Sequence, residues 1–163
     1  MLAVIADSLQ AVQAKIAVLD REIASRAKAN PVARRLMTVP GIGPVVATAL
    51  VALAPRASAF RRGRDFAAWL GLTPRQHSSG GKERLGRTSK MGERSLRRLL
   101  ILGASSAAKV AARDGSRASP LLAGMLARKP RMLVTVALAN KMARIVWALM
   151  AHGGSSKAPA AAV

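Results

Sequence analysis

The chain has 163 residues, room for one ordinary domain with appendages, and 27 Lys and Arg against 7 Asp and Glu give it a formal charge of +20. Such a field attracts polyanions, so DNA or RNA is the expected partner, and a hydrophobic content of 51% excludes a disordered basic tail. The lack of Cys excludes disulfides and Cys-based zinc modules; no apolar run approaches the roughly 18 residues of a membrane span, the longest being 45–54 between two prolines, so no membrane role is expected.

Much of the apolar content is Ala, with two Phe, two Trp and no Tyr, a composition that favours helix packing over sheet. The expected fold is all-α: a helical bundle containing a helix-hairpin-helix, with an N-terminal coiled-coil arm. Leu2, Ile5, Leu9, Val12, Ile16, Leu19 and Ile23 alternate at spacings of three and four, a heptad seam. Two readings are open for this helix: an amphipathic helix lying on its own domain, or a seam for self-association through residues 2–23. Asn30-Pro31 ends it. Met1 leads straight into the periodic segment without a basic leader, so the expected location is the cytoplasm, on the nucleoid.

A short helix is predicted from Val32 to Thr38, then a turn through Val39-Pro40-Gly41-Ile42-Gly43, then a helix opened by Pro44. Gly63 to Leu70 reads as helix, stopped by Gly71. Thr73 to Thr88 lacks periodicity and is rich in Gly, Ser and charge, so it reads as a loop, with a small inserted hairpin as the competing possibility. Helix resumes from Ser89 or Lys90 to Ala112, with Leu96, Leu99, Leu100, Gly103, Ala104, Ala107 and Val110 on one face, and breaks at Asp114-Gly115. Ser119-Pro120 caps a short helix, and Pro130 starts a last one ending near Met150. The implied domains are an arm at 1–29, a helical domain at 32–151 and a disordered tail at 152–163.

Gly41 and Gly43 would let backbone N–H groups approach a phosphate, beside the positive end of the next helix dipole. A tight turn between packed helices is the plainer reading, and Pro44 removes one donor. Between Arg56 and Arg98 stand twelve cations, opposed by Asp65, Glu83 and Glu93 only. That imbalance fits a bound phosphate backbone. Arg94, Arg97 and Arg98 form a basic ridge on a helix whose other side is apolar. Phe60, Phe66 and Trp69 are spaced as core residues, which disfavours base stacking as the binding mode.

Within the 73–88 segment, Ser78 and Ser79 lie among guanidinium groups. A Ser hydroxyl is a poor nucleophile unless its proton is accepted or the attacked group is polarised, and clustered cations supply the second condition at a phosphate. A flexible Ser-Gly loop touching phosphates is the simpler alternative. The few interleaved carboxylates do not suit a two-metal nuclease, and His77 and His152 read as surface residues.

Three blocks, LMTVPGIGP at 36–44, FAAWLGLTPRQHSSGGKERLGRTSK at 66–90 and MGERSLRRLL at 91–100, precede LANKMARIVWAL at 138–149. Together they resemble the C-terminal domain of the bacterial insertion-sequence transposases that pair a RuvC-like, four-carboxylate N-terminal domain with a serine-bearing C-terminal domain. The resemblance covers residues 34–151. It implies that Ser79, which precedes Gly80, attacks DNA, with Ser78 as the fallback. It also implies that Gly41, Gly43, Arg75, Lys82, Arg84, Arg87, Lys90, Arg94, Arg97 and Arg98 contact nucleic acid. A structured guide RNA is a further implied partner. No cofactor is expected in this chain; Mg2+ is implied for the acidic domain, which this sequence lacks, so a truncated enzyme inactive alone is expected. The alternative is a non-catalytic structural DNA- or RNA-binding module.

Overall fold

The computed structural model describes residues 1–82, 84–114 and 119–156. Its helices are α1 (Leu2–Ala29), α2 (Pro31–Leu36), α3 (Pro44–Leu53), α4 (Gly63–Trp69), α5 (Arg94–Arg113), α6 (Pro120–Arg128) and α7 (Arg131–His152), with a 3-10 turn at Ala57–Ala59. A two-stranded antiparallel hairpin, β1 (Pro74–Gln76) and β2 (Leu85–Thr88), lies between α4 and α5. The fold is therefore a helical bundle with a minor β-hairpin. The predicted loop at 73–88 is replaced by its competitor, the inserted hairpin.

Local chemistry sets most boundaries. The Asn30 side chain accepts from the Val32 and Ala33 amides at 2.9 and 3.0 Å, so one residue closes α1 and caps α2. Pro44 and Pro120 occupy first helical positions, where a missing N–H costs nothing, and Ser119 Oγ accepts from the Leu122 amide. The start of α5 differs from expectation: it lies at Arg94, not at Ser89 or Lys90. Lys90 at φ 55° and Gly92 at φ 87° interrupt the helical path, and the Glu93 carboxylate then caps Ser95 N at 2.8 Å. The last helix runs to His152, two residues past the expected end at Met150, and Gly153 turns the chain away at φ 76°. The predicted break at Gly115 and residues 157–163 of the predicted tail lie outside the described residues; within the tail, Ser156 N donates to Thr38 Oγ1 at 2.9 Å.

The core is centred on α7, whose Val134, Ala139, Met142, Ala143 and Val146 are buried against α4, α5 and α2. On α5 the buried face is Leu96, Leu100, Gly103, Ala104, Ala108 and Ala111. Val110, expected on this face, is 43% exposed, and the buried positions at this end of α5 are Ala108 and Ala111. Phe60, Phe66 and Trp69 form one aromatic cluster with ring centroids 5.3–5.9 Å apart. Phe66 is a buried core residue, and the half-buried Phe60 and Trp69 pack against the core.

Small residues allow the closest contacts. A Cβ on Gly41, which sits at φ 89°, would lie 2.5 Å from the Gly103 carbonyl oxygen, and a Cβ on Gly103 would collide with the Gly41 carbonyl. The turn before α3 thus rests directly on α5. This matches the plainer reading of Gly41, a tight turn between packed helices.

Only the C-terminal end of α1 packs on the domain: Ala27 is fully buried, near α2 and α3, whereas residues 2–22 are exposed. Its seam residues Leu2, Ile5, Leu9, Val12, Ile16 and Leu19 are all more than half exposed. The helix does not lie along its own domain. By length and composition alone, Leu2–Ala29 and Arg131–His152 are each long and apolar enough to cross a membrane. Neither contains an unbroken apolar run of that length; Ala-rich helices with few charges qualify on mean hydropathy alone. The core position of α7 accounts for its apolar character.

Candidate nucleic-acid interface

The hairpin stands on a braced root. Ser89 N donates to Thr73 O at 2.9 Å and Lys90 N to Gly71 O at 3.1 Å, which extends strand pairing below the ladder. Gly71 (φ 70°) and Gly92 (φ 87°) let the two ends cross closely; a Cβ on Gly92 would strike the Trp69 carbonyl oxygen and one on Gly71 that of Met91. The Arg97 guanidinium fastens this crossing, with Nη1 donating to Leu70 O at 3.0 Å and to Met91 O at 3.3 Å. From the other side, Asn140 Nδ2 on α7 donates to Leu72 O at 3.0 Å. Backbone carbonyls that a turn would leave unpaired are thereby satisfied by two side chains from different helices.

At the tip, Ser79-Gly80-Gly81-Lys82 make a two-residue turn. Gly80 and Gly81 have φ of 58° and 77°, the positive values a type I′ turn demands, and Lys82 N donates to Ser79 O at 3.2 Å. Nothing lies within 4 Å of a Cβ built on either glycine, so the tip is open. The two serines differ. Ser78 Oγ accepts from the Arg84 amide across the hairpin at 3.3 Å, whereas Ser79 Oγ has no hydrogen-bond partner among the described residues.

Cations surround this hairpin. Arg75, Lys82, Arg84, Arg87 and Lys90 are exposed on it, and Arg94 and Arg98 on the first turns of α5. Among the described residues no carboxylate forms a salt bridge with any of the seven; the two salt bridges are Arg26–Glu22 on α1 and Arg62–Asp65 on α4. Arg97 departs from its predicted place on the ridge. It is half-buried and occupied by the hairpin root, so the ridge at this end of α5 consists of Arg94 and Arg98.

Gly41 and Gly43 separate likewise. Gly41 is filled by α5, while Gly43, at φ −92°, caps α3 with open space around it. Ala47 N donates to Gly43 O, and among the described residues the Val45 and Val46 amides have no partner. The turn lies apart from the hairpin in sequence; it rests on α5 at Gly103, whereas α5 reaches the hairpin's root through Arg97.

Sequence reasoning missed Asn140 and the bracing role of Arg97. Asn140 carried a signal, as a polar residue within an apolar helical segment; Arg97 carried none, because it stands in a run of like residues whose partners are backbone carbonyls. Among the described residues no three His, Asp or Glu side chains gather, so the donor set does not fit a metal centre.

A helical bundle that raises a cationic hairpin beside a cationic helix ridge, with no described carboxylate ion-paired to either, has the electrostatic form of a polyanion-binding module. Residues 33–118, just over half the chain, match the model of the transposase IS116/IS110/IS902 family, and the chain belongs to that family. It is 49% identical over 146 residues to a probable family 20 transposase of Pseudomonas aeruginosa, covering 90% of this chain and 43% of that protein. A putative transposase of Sinorhizobium fredii is 45% identical, covering 86% and 37%, and the transposase for insertion sequence element IS1328 of Yersinia enterocolitica 37% identical, covering 85% and 42%. The chain thus spans less than half the length of these relatives.

Proposed function

We propose that this chain acts as the DNA-binding, serine-bearing C-terminal domain of an insertion-sequence transposase, with Ser79 attacking a DNA phosphate. The carrying observation is the exposed turn that presents, among cations, a Ser79 hydroxyl with no partner among the described residues. In the reaction, Ser79 Oγ loses its proton and bonds to phosphorus, a P–O bond to deoxyribose breaks, and the released sugar oxygen takes up a proton. The phosphoserine conserves the bond energy for rejoining. Lys82 and Arg84, the first two cations after Ser79 in the chain, would stabilise the charge that develops on phosphate. Ser78, tied to the Arg84 amide, is the weaker candidate.

In this reading Arg75, Arg87, Lys90, Arg94 and Arg98 hold the nucleic-acid backbone, and residues 36–44 with α3 act as a helix-hairpin-helix in which Gly43 and the free Val45 and Val46 amides face a phosphate. Residues 1–29 form a coiled-coil arm that pairs with a second copy, 32–151 the domain, and 152–163 a tail. The bare seam of α1 supports the arm. A structured RNA is a second nucleic-acid partner, and the cytoplasmic nucleoid the place of action. A RuvC-like acidic domain with Mg2+ would belong to a longer protein.

A DNA duplex with a bridging phosphorothiolate, whose thiolate leaving group needs no protonation, tests the nucleophile. A denaturing gel should show a covalent adduct for the wild type and Ser78→Ala but none for Ser79→Ala. A wild-type chain that binds the duplex without forming an adduct would favour the second reading, a non-catalytic DNA- or RNA-binding module. That reading is supported by one observation: no described side chain is hydrogen-bonded to Ser79 Oγ to accept its proton.

A further inference from the structure

Below the Ser79 turn, the hairpin and the residues leading to α5 enclose an open recess of about 400 Å³ lined by Arg75, His77, Arg87, Thr88, Ser89 and Lys90. Three features set it apart from a solvated charge run. First, Arg75 is held against the recess wall, its guanidinium donating to Ser89 O at 3.4 Å. Second, Lys90 is the single non-glycine residue at positive φ among the described residues, a strained conformation at the recess edge. Third, Gly86 leaves room for the His77 imidazole across the strands: a Cβ there would lie 2.6 Å from Cδ2 and 2.7 Å from Nε2. Three cations, two hydroxyls and an imidazole line it with no described carboxylate among them.

We propose that this recess is a discrete phosphodiester pocket, in which His77 donates a ring N–H to a backbone phosphate clamped by Arg75, Arg87 and Lys90. Guanidinium groups suit the phosphate oxygens in pairs, the ammonium adds a point charge, and imidazole supplies a directed donor. The pocket rests on the nucleic-acid reading above and deepens it, because it assigns one phosphate to a named position at the foot of the hairpin. It also assigns His77 and Gly86 roles that neither charge nor sequence pattern indicated. The phosphate is a constituent of DNA and RNA alike.

The chain has two His, so the imidazole proton resonances of His77 and of His152 on α7 provide a probe and an internal reference. Each would be followed while the whole chain is titrated with a short DNA duplex and, separately, with an RNA hairpin. The His77 signal should shift saturably with the nucleic acid that occupies the pocket, and His152 should stay in place; the responding titration identifies the source. Lys90→Gly keeps a residue suited to positive φ, so it should fold normally, weaken binding severalfold and lower the salt slope by about 0.9, the amount of one phosphate contact. Gly86→Ala should displace the His77 ring and abolish its response. Tight binding of either nucleic acid with an unmoved His77 signal would overturn the pocket and leave the parent reading intact. Failure of both to bind at low salt would overturn both together.

Discussion

Gly41 and Gly43 stand two residues apart in one turn, yet opposite outcomes are expected when each becomes Ala. At Gly41 the new Cβ meets the Gly103 carbonyl oxygen at 2.5 Å and its carbon at 2.9 Å, in a backbone at φ 89°. A non-Gly residue in that region costs about 1–3 kcal/mol, and overpacking against backbone that cannot rotate away adds about 1–3 kcal/mol. The stiffer unfolded chain returns about 0.4–1 kcal/mol. A net loss of about 3 kcal/mol should lower Tm by about 6–12 °C in a chain of this size. At Gly43 φ is −92° and the surroundings are empty, so Gly43→Ala should lose about 0.5–1 kcal/mol, for a poorer helix cap alone. Its effect should fall on binding, since a methyl group beside the free Val45 and Val46 amides keeps a phosphate at a distance. Scanning calorimetry for Tm and fluorescence anisotropy with a labelled duplex separate the two effects. An unchanged Tm in Gly41→Ala would refute the close contact of this turn with α5. Unaltered affinity in a stable Gly43→Ala would remove the turn from the interface.

Other perturbations read other parts of the molecule. Arg97→Ala should free the Leu70 and Met91 carbonyls, lose about 1–2 kcal/mol and speed hydrogen exchange at the Ser89 and Lys90 amides, with Arg97→Lys restoring part of the protection; exchange mass spectrometry that finds no local change would contradict the brace. Leu100→Ala, at a fully buried position, should lose about 2–5 kcal/mol in urea unfolding, whereas truncation of the 56% exposed Leu102 should change stability by less than about 0.5 kcal/mol. Duplex affinity should fall by about three or more orders of magnitude between 50 and 200 mM salt if six or more phosphates are neutralised, and a flat salt dependence would argue against a backbone-binding surface. Sedimentation at about 0.3 M salt, where screening relieves repulsion between copies of charge +20, should show a dimer or higher oligomer that Ile16→Asp dissociates; a wild-type monomer across the micromolar range would assign the seam to another partner.

The sequence by itself determined the features that depend on near neighbours. Asn30-Pro31, Pro44 and Ser119-Pro120 mark helix boundaries through caps and prolines, whose chemistry acts within four residues, and those boundaries appear where the residues placed them. The helical class followed from composition, and the strongly basic character of residues 56–98 from charge, which requires no knowledge of partners. The 73–88 segment was ambiguous because strands of three and four residues are too short to declare a period, and their pairing depends on the Gly80-Gly81 turn. Tertiary structure alone decided what each similar residue does. Arg97 points inward to two carbonyls while Arg94 and Arg98 remain at the surface, because α4 ends beneath just one of them. Gly41 serves packing and Gly43 remains open, because α5 passes one and not the other. His77 lies over Gly86 through a strand pairing that joins residues nine apart. In each case the deciding partner is remote in the chain, and only the folded arrangement of α4, α5 and the hairpin brings it within contact distance.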